Sequence, residues 1–313
     1  MRIDSLTAEN KISQGKKQRE WLKRRSPQHL IEVEKLLTDC VAMTKHGGPP
    51  DMVILGAGAC TEIPLQKMAQ LCRKVTLVDL DTDGLKTAIA EVAAPLRKRI
   101  HIARADITGG VSKTLEEILN VVDWRALNDA TDNEVAHITA QALDSVPVPA
   151  APRIAGIAPA AIVVSALVLT QLFSLPLQDV LQKVALVRAG MHITIGDNTE
   201  YIRAANVFRR KITLAHLHLL QTCMTSNGAA ALISDFAGQI TRADFTPDTT
   251  LPELRILPAA ALSIPSDLEK QFYLPEQIRH WQWINKLPEG AAYPGRMYTV
   301  IGAILRHSPA QPL

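Results

Sequence analysis

Hydrophobic positions follow a helical period over the first part of the chain. They recur every three or four residues at Leu30, Val33, Leu37 and Cys40, which is the spacing of one face of an α-helix. Ser26-Pro27 is typical of a helix start, and a Gly-Gly-Pro-Pro run at residues 47–50 ends the pattern. We therefore predict a helical N-terminal extension over residues 1–48, followed by a larger domain over residues 49–313.

From residue 51 onward, short apolar runs alternate with longer amphipathic segments. The apolar runs indicate strands at Met52–Leu55, Val75–Val78, around RIHIARADITG, at Ala161–Ser165 and in GAAALISDF. The segments between them indicate helices, and the longest of these places Tyr201, Ala205, Phe208, Ile212, Ala215 and Leu219 on one face. Strands separated by helices predict a parallel sheet covered on both faces.

The last apolar run, Arg296–Ser308, has no helix after it. A final strand that is reached by a hairpin lies antiparallel to its neighbour. The whole pattern predicts an α/β protein with a doubly wound, mostly parallel sheet of about seven strands and an antiparallel last strand. We also expect a helical insert over about residues 111–160.

One uncharged stretch, Ile154–Gln178, is long enough to span a bilayer. Pro159 and Pro176 interrupt it, and several polar side chains lie inside it. A buried parallel strand followed by a buried helix has the same composition, because such strands are apolar on both faces. We therefore expect no membrane association.

Composition and charge narrow the class of protein further. The chain of 313 residues is 47% hydrophobic and 21% charged, which suits a globular protein with a large core. A net charge of +3 is too small to imply a polyanionic partner. The four cysteines form no C-x-x-C pair, which argues against a disulfide framework and a cysteine metal site and favours a reducing cytoplasm.

The turn after the first predicted strand, in MVILGAGACTEIPL, carries two glycines, Gly56 and Gly58. Glycines at this place let backbone N–H groups approach a ligand, and the next helix N-terminus favours negative charge. Asp79 ends the second strand, where a carboxylate can accept hydrogen bonds from ribose hydroxyls. These residues alone fit a dinucleotide, another adenosine cofactor, or a tight structural turn beside a solvated aspartate.

Three further features separate these alternatives. Asp106 follows the third strand, where an adenine amino group could be bound; the chain contains no Y-x-x-x-K motif of one large dehydrogenase family; and the last strand is expected to be antiparallel. Together these features resemble the class I S-adenosylmethionine-dependent methyltransferases over about residues 51–313. The segments that carry the resemblance are VILGAGACTEIPL, VTLVDLD, ARADITG, AIVVSALVLTQL and GAAALISDF.

This resemblance implies S-adenosylmethionine as the cofactor and assigns roles by position. It implies that Gly56, Ala57 and Gly58 line the methionine and ribose part, that Asp79 and Leu80 hold the ribose, that Asp106 and Ile107 flank the adenine, and that Ser165 and Ala166 lie near the sulfonium. Two positions depart from the family pattern: Ile54 replaces an acidic residue and Cys60 replaces a glycine. Glu62 is a candidate to bind the cofactor's ammonium group instead.

An oxygen or nitrogen acceptor can require a positioned base to remove a proton. The candidates are His192, His216, His218 and Asp235. His216 and His218 are two positions apart on a predicted helix, so they do not share a face and are not expected to bind a metal ion together. Asp235 ends the fifth strand, at the edge where open sheets bind ligands. We predict Asp235 and His192 as catalytic residues and no metal site.

Aromatic and basic residues are unevenly distributed along the chain. Of the 4 Trp, 4 Tyr and 5 Phe, a group falls between residues 272 and 298, including Trp281, Trp283 and Tyr298. This group fits the core of a terminal hairpin, and alternatively the wall of an acceptor pocket or a cation–π site near the sulfonium. The basic residues of segment 11–25 lack interleaved aromatics and any visible RNA-binding module, so we do not expect a nucleic-acid partner.

We therefore expect a cytoplasmic methyltransferase that modifies an oxygen or nitrogen of a small molecule or peptide. The alternatives are a nicotinamide-dependent oxidoreductase, an RNA methyltransferase, and a cofactor-binding protein without catalytic activity.

Overall fold

The computed structural model describes residues 20–44, 47–150, 152–188, 190–241, 272–273, 278–286 and 295–307. The helices are α1 (Pro27–Thr44), α2 (Leu65–Leu71), α3 (Thr82–Ala90), α4 (Ala94–Arg97), α5 (Val111–Asn120), α6 (Asp132–Ser145), α7 (Gln171–Val184), α8 (Met191–Gly196) and α9 (Thr199–Cys223). The strands are β1 (Asp51–Leu55), β2 (Lys74–Asp79), β3 (Ile100–Arg104), β4 (Ala160–Ala166), β5 (Met224–Thr241), β6 (Phe272–Tyr273), β7 (Ile278–Lys286) and β8 (Gly295–His307).

The strands form one sheet in the order β3-β2-β1-β4-β5-β8-β6, with β7 also paired to β8. Strands β1 to β5 run parallel, and β8 is antiparallel to β5. The predicted doubly wound α/β fold with an antiparallel last strand is confirmed. The sheet has eight strands rather than about seven, because the outer edge of β8 carries two separate pieces, β6 and β7.

Helices cover both faces of this sheet, and each face has its own core. One core contains the inward residues of α5, α6, α7 and α9, and the other contains those of α1, α2 and α3. Strand β1 is buried from Met52 to Leu55, as a central strand between two helical layers must be. The buried face of α9 contains all six residues that the sequence pattern placed there.

The uncharged stretch Ile154–Gln178 forms the central strand β4 and the first two turns of α7. In the described part of the chain, no helix combines the length and the apolar character that crossing a bilayer would require.

The N-terminal helix α1 begins at Pro27, as predicted, and packs on the sheet against β5, β7 and β8. Leu22, in the helical turn before it, is fully buried in the same core. Residues 1–19 lie outside the described residues, so the boundary of the predicted extension stays a prediction. The same is true of the insert over about 111–160, where α6 packs mainly against α9 and completes the helical layer.

Strand β5 continues well beyond its pairing with β4. The last residue of β5 that pairs with β4 is Ile233, whereas β5 continues to Thr241 in its pairing with β8. The strands β5, β8 and β7 therefore project past the carboxyl edge of the parallel strands as an antiparallel ribbon.

Candidate functional site

A cleft of about 240 Å³ opens at the carboxyl ends of β1, β2, β3 and β4. Its wall combines the turns that follow these four strands with the first half of α7. Five of the predicted cofactor residues line it: Gly56, Asp79, Leu80, Asp106 and Ile107. Ligands of open parallel sheets bind at this edge, because the strand order reverses there and the connecting loops diverge.

The turn after β1 requires left-handed backbone at three positions. Gly56 has a φ of +63°, Gly58 a φ of +49° and Cys60 a φ of +50°. Cys60 therefore adopts left-handed backbone, which glycine accommodates readily, at the steric cost of its Cβ. An added Cβ on Gly56 would lie 2.3 Å from Cγ2 of Val168, whereas an added Cβ on Gly58 would meet nothing within 4 Å.

The carboxylate of Asp79 ties the ends of β1 and β2 together. Its Oδ2 accepts a hydrogen bond of 2.8 Å from the backbone N–H of Gly58, and its Oδ1 accepts one of 2.8 Å from the N–H of Asp81. Each carboxylate oxygen has two lone pairs, so each can accept one further hydrogen bond from a ligand in the cleft.

Asp106 organises the loop after β3 in a similar way. Its Oδ1 accepts from the N–H and the hydroxyl of Thr108 at 2.8 and 2.7 Å, and its Oδ2 accepts from the N–H of Gly110 at 3.1 Å. Oδ2 thus has acceptor capacity for an exocyclic amine. Leu80 and Leu175 stand on the cleft wall about half exposed, and Ile107 and Leu172 are buried behind them. A planar apolar ring placed here would cover the exposed leucines.

Four other predicted cofactor residues, Ala57, Gly58, Ser165 and Ala166, are not among the residues that line the cleft. The N–H of Ala57 donates to the carbonyl of Val78 at 3.1 Å. The hydroxyl of Ser165 is fully buried and forms a 2.7 Å hydrogen bond with Nε2 of His216 on α9. Ala166, at the end of β4, packs against the core that contains the inward residues of α1, α2 and α3. A ligand could therefore meet Ser165 only through its main chain.

Three other candidates lie away from the cleft lining. Glu62 lies in the loop before α2 rather than inside the helix, and its Oε2 accepts a 2.5 Å hydrogen bond from the hydroxyl of Thr61. His192 is exposed on α8, which packs on α6, α7 and α9. His218 contacts the carbonyl of Ala150 through its Nδ1. The structure does not bring His192 to the cleft as a base, because its side chain is exposed on α8 and does not line the cleft.

Asp235 lies inside β5, just past the last pairing of β5 with β4, and not at the end of the strand as predicted. The residue is buried, and its Oδ1 accepts a 2.5 Å hydrogen bond from the hydroxyl of Thr170. Burial raises the pKa of the Asp235 carboxyl, and the hydrogen bond from Thr170 partly opposes this. Thr170 lies between Val168 and Gln171, which both line the cleft. Thr170 was not among the site residues predicted from the sequence; its position directly before the helix that follows β4 was the available signal.

The aromatic group forms core, not an open wall, in the part that the structure describes. Trp281 donates from Nε1 to Nδ1 of His29 at 2.8 Å, Trp283 stacks on the His29 ring with centroids 5.1 Å apart, and Tyr298 contacts Trp283 at 5.6 Å. All four side chains are buried between α1 and the antiparallel ribbon. The core interpretation is thus the one that holds for Trp281, Trp283 and Tyr298; Tyr293 lies outside the described residues.

Across the described residues, no group of three or more histidine, cysteine, aspartate or glutamate side chains could hold a metal ion. The four cysteines are buried, and none of them forms a disulfide.

The chain is similar to solved methyltransferase structures. One is the N-methyltransferase NodS from Bradyrhizobium japonicum WM9 in complex with S-adenosyl-L-homocysteine, which is 11% identical in sequence. The match covers 95% of this chain and 98% of the NodS chain, with a TM-score of 0.39. The glycopeptide N-methyltransferase MtfA is 12% identical, with coverage of 89% and 90% and a TM-score of 0.37. A candidate RNA methyltransferase from Pyrococcus horikoshii is 10% identical, with coverage of 90% and 84% and a TM-score of 0.41. No protein-family model and no curated protein sequence matches the chain.

Proposed function

We propose that this protein is a methyltransferase that binds S-adenosylmethionine in the cleft at the carboxyl ends of β1 to β4 and methylates an oxygen or nitrogen of a small molecule or peptide. The observation that carries the proposal is the arrangement of the turn after β1 and Asp79. A Cβ added on Gly58 would meet no atom within 4 Å, so the space beside this turn is open. Each oxygen of the neighbouring Asp79 carboxylate can still accept one further hydrogen bond.

The residues of the cleft fit the parts of this cofactor. Asp79 would accept hydrogen bonds from the two ribose hydroxyls, and the turn at Gly56 would lie along the chain that joins ribose to sulfonium. Asp106 would accept from the adenine amino group, and the exposed leucines of the cleft would cover the ring faces. When bound, S-adenosylmethionine supplies an activated methyl sulfonium; the chain's own residues supply proximity, orientation and a base.

Asp235 is the residue that we propose as this base. It is buried at the carboxyl edge next to the loop that carries Val168, and burial raises its pKa, so its proton affinity is increased. The four cysteines are buried and form no disulfide, which supports a reducing cytoplasm as the compartment of the protein.

A nicotinamide-dependent oxidoreductase is the rival that the site must be tested against. The classic dinucleotide-binding sheet has the order 3-2-1-4-5-6, whereas an antiparallel strand, β8, lies next to β5 in this chain. The missing third glycine of the turn after β1 does not separate the two, because Cys60 also departs from the methyltransferase pattern. The strand order is the feature that favours the methyl donor.

Isothermal titration calorimetry distinguishes the two cofactors directly. We expect the purified protein to bind S-adenosylhomocysteine and to show no heat with NADH or NADPH. Binding of NADH without binding of S-adenosylhomocysteine would move the assignment to the oxidoreductases. Binding of S-adenosylhomocysteine with no labelled methyl transferred to any fraction of a cell extract would leave the protein as a cofactor binder without catalysis.

A further inference from the structure

The hydrogen bond between Thr170 and Asp235 joins the segment next to Val168 and Gln171 of the cleft wall to the start of the antiparallel ribbon. Thr170 lies at the start of α7, directly after the loop in which Val168 closes over Gly56. The N–H of Leu167 in the same loop donates to the carbonyl of Ile233 at 2.8 Å, which fixes the loop on the end of β5. The 2.5 Å bond from Thr170 to Asp235 then sets the direction of the carboxylate.

The Asp235 carboxyl has no cationic partner in the described part of the chain. No lysine, arginine or histidine there forms an ion pair with it. The hydrogen bonds to this carboxyl come from the hydroxyl of Thr170 and from the backbone of Asp235 itself. Among the described residues, Tyr298 on β8 is close enough for the Asp235 charge to act on it, and Arg296 bonds to Tyr298. Burial raises the pKa of the Tyr298 hydroxyl, and the Asp235 charge raises it further against the opposing effect of Arg296.

A buried carboxylate without a counter-ion is costly, and a bound cation relieves this cost. An ammonium group is such a cation, and it must also lose a proton before its nitrogen can attack a methyl group. A neutral alcohol would gain much less from a buried carboxylate, because it brings no compensating charge.

We propose that the acceptor is an aliphatic amine which arrives as an ammonium ion at Asp235, and that Thr170 is the positioning residue that aims this carboxylate. This inference rests on the proposed function and specifies its acceptor class. Asp235 takes one proton from the ammonium and becomes a neutral carboxylic acid, and the nitrogen lone pair becomes free. The nitrogen then forms a bond to the methyl group while the carbon–sulfur bond breaks, and that electron pair stays on sulfur. The product leaves as an N-methylammonium ion, and Asp235 releases its proton to solvent.

Competition between isosteric probes tests the acceptor class without turnover. With S-adenosylhomocysteine at saturation, calorimetric affinities are measured for hexylamine and benzylamine and for the matched alcohols hexan-1-ol and benzyl alcohol. We expect both amines to bind at least tenfold more tightly than their alcohols at pH 7.5. The preference should disappear in Asp235→Asn and persist in Asp179→Asn, a control that removes an exposed carboxylate on α7 whose pKa is likewise raised.

The variants at Thr170 test the positioning role. Loss of the hydroxyl in Thr170→Val removes a hydrogen bond that lowers the Asp235 pKa. We therefore expect the pH midpoint of amine binding to move upward in this variant and to return in Thr170→Ser. Retained binding of S-adenosylhomocysteine shows that each variant is folded.

Two outcomes would overturn the inference. One is equal binding of alcohols and amines to the wild-type protein. The other is an amine preference that survives Asp235→Asn. In either case, intact binding of S-adenosylhomocysteine would leave the proposed function standing, so the two failures are distinguishable.

Discussion

At the scale of single residues, the shape of the cleft depends on glycines whose backbone is left-handed and on the side chains that cover them. Gly56 and Gly58 both have left-handed backbone, but only Gly56 is covered, by Val168. The sequence could predict Gly56, Asp79 and Asp106 because each directly follows a strand whose end is fixed locally. It could not predict the direction of Ser165, since β4 is buried on both faces and alternation carries no information there.

Replacement of the two glycines separates backbone strain from steric overlap. Both Gly56→Ala and Gly58→Ala place a Cβ in left-handed backbone, which costs about 1–2 kcal/mol. In Gly56→Ala the Cβ also overlaps Val168, which adds about 1–3 kcal/mol. Urea unfolding should therefore show that Gly56→Ala is the less stable variant by that added amount. Equal stabilities would mean that Val168 does not cover Gly56.

Removal of the Asp79 carboxylate should weaken cofactor binding. Loss of hydrogen bonds to a charged group predicts that Asp79→Ala raises the free energy of S-adenosylhomocysteine binding by about 1.5–3 kcal/mol in calorimetry. Asp81→Ala is the matched control, because Asp81 caps α3 by accepting from the N–H of Gly84 and does not line the cleft. This control should lose about 1 kcal/mol of stability and bind normally. An equal loss of affinity in both variants would contradict a direct role for Asp79.

At the scale of elements, two buried histidines hold helices to the sheet. His29 fastens α1 to the tryptophans of β7, and His216 fastens α9 to Ser165 of β4. Helical spacing predicted α1 and α9 with the correct buried faces. The two contacts could not be predicted, because each joins residues that are distant in sequence and depends on side-chain direction.

These histidines make stability depend on pH. Burial lowers the pKa of each from 6.5 to about 4. Between those values the unfolded chain binds more protons than the folded chain, so the free energy of unfolding falls as the pH falls from 6.5 towards 4. The loss should reach about 3 kcal/mol for each histidine by pH 4.

Urea unfolding between pH 4 and 7.5 measures this effect. His29→Gln and His216→Gln should each flatten the curve below pH 6.5, whereas the exposed His192 should not contribute, so His192→Gln should follow the wild-type curve. A wild-type stability that does not change between pH 6.5 and 4.5 would show that neither histidine is held neutral by burial.

At the scale of the whole molecule, the order of strands brings distant residues to one edge. The sequence predicted the alternation of strands and helices and the antiparallel β8, because these follow from local pattern and connection length. It could not predict that Thr170 meets Asp235, since that contact depends on β4 and β5 being neighbours. Fold does not decide function, so the proposal rests on the cleft.

Truncation tests whether the basic N-terminal segment serves the cleft. Leu22 is part of the core, so a deletion must stop at residue 19. We expect the protein without residues 1–19 to bind S-adenosylhomocysteine with unchanged affinity, because no described residue before Gly56 lines the cleft. If labelled methyl were transferred to bulk RNA and lost on this deletion, the acceptor would be RNA and the expected substrate class would be wrong.

The central claim is that the cleft at the carboxyl ends of β1 to β4 binds S-adenosylmethionine through Asp79. A crystal structure of the protein with S-adenosylhomocysteine tests it most directly. We predict both ribose hydroxyls within hydrogen-bonding distance of the Asp79 carboxylate and the adenine amino group beside Asp106. Electron density for the ligand at any other place, or a ribose that makes no contact with Asp79, would contradict the account.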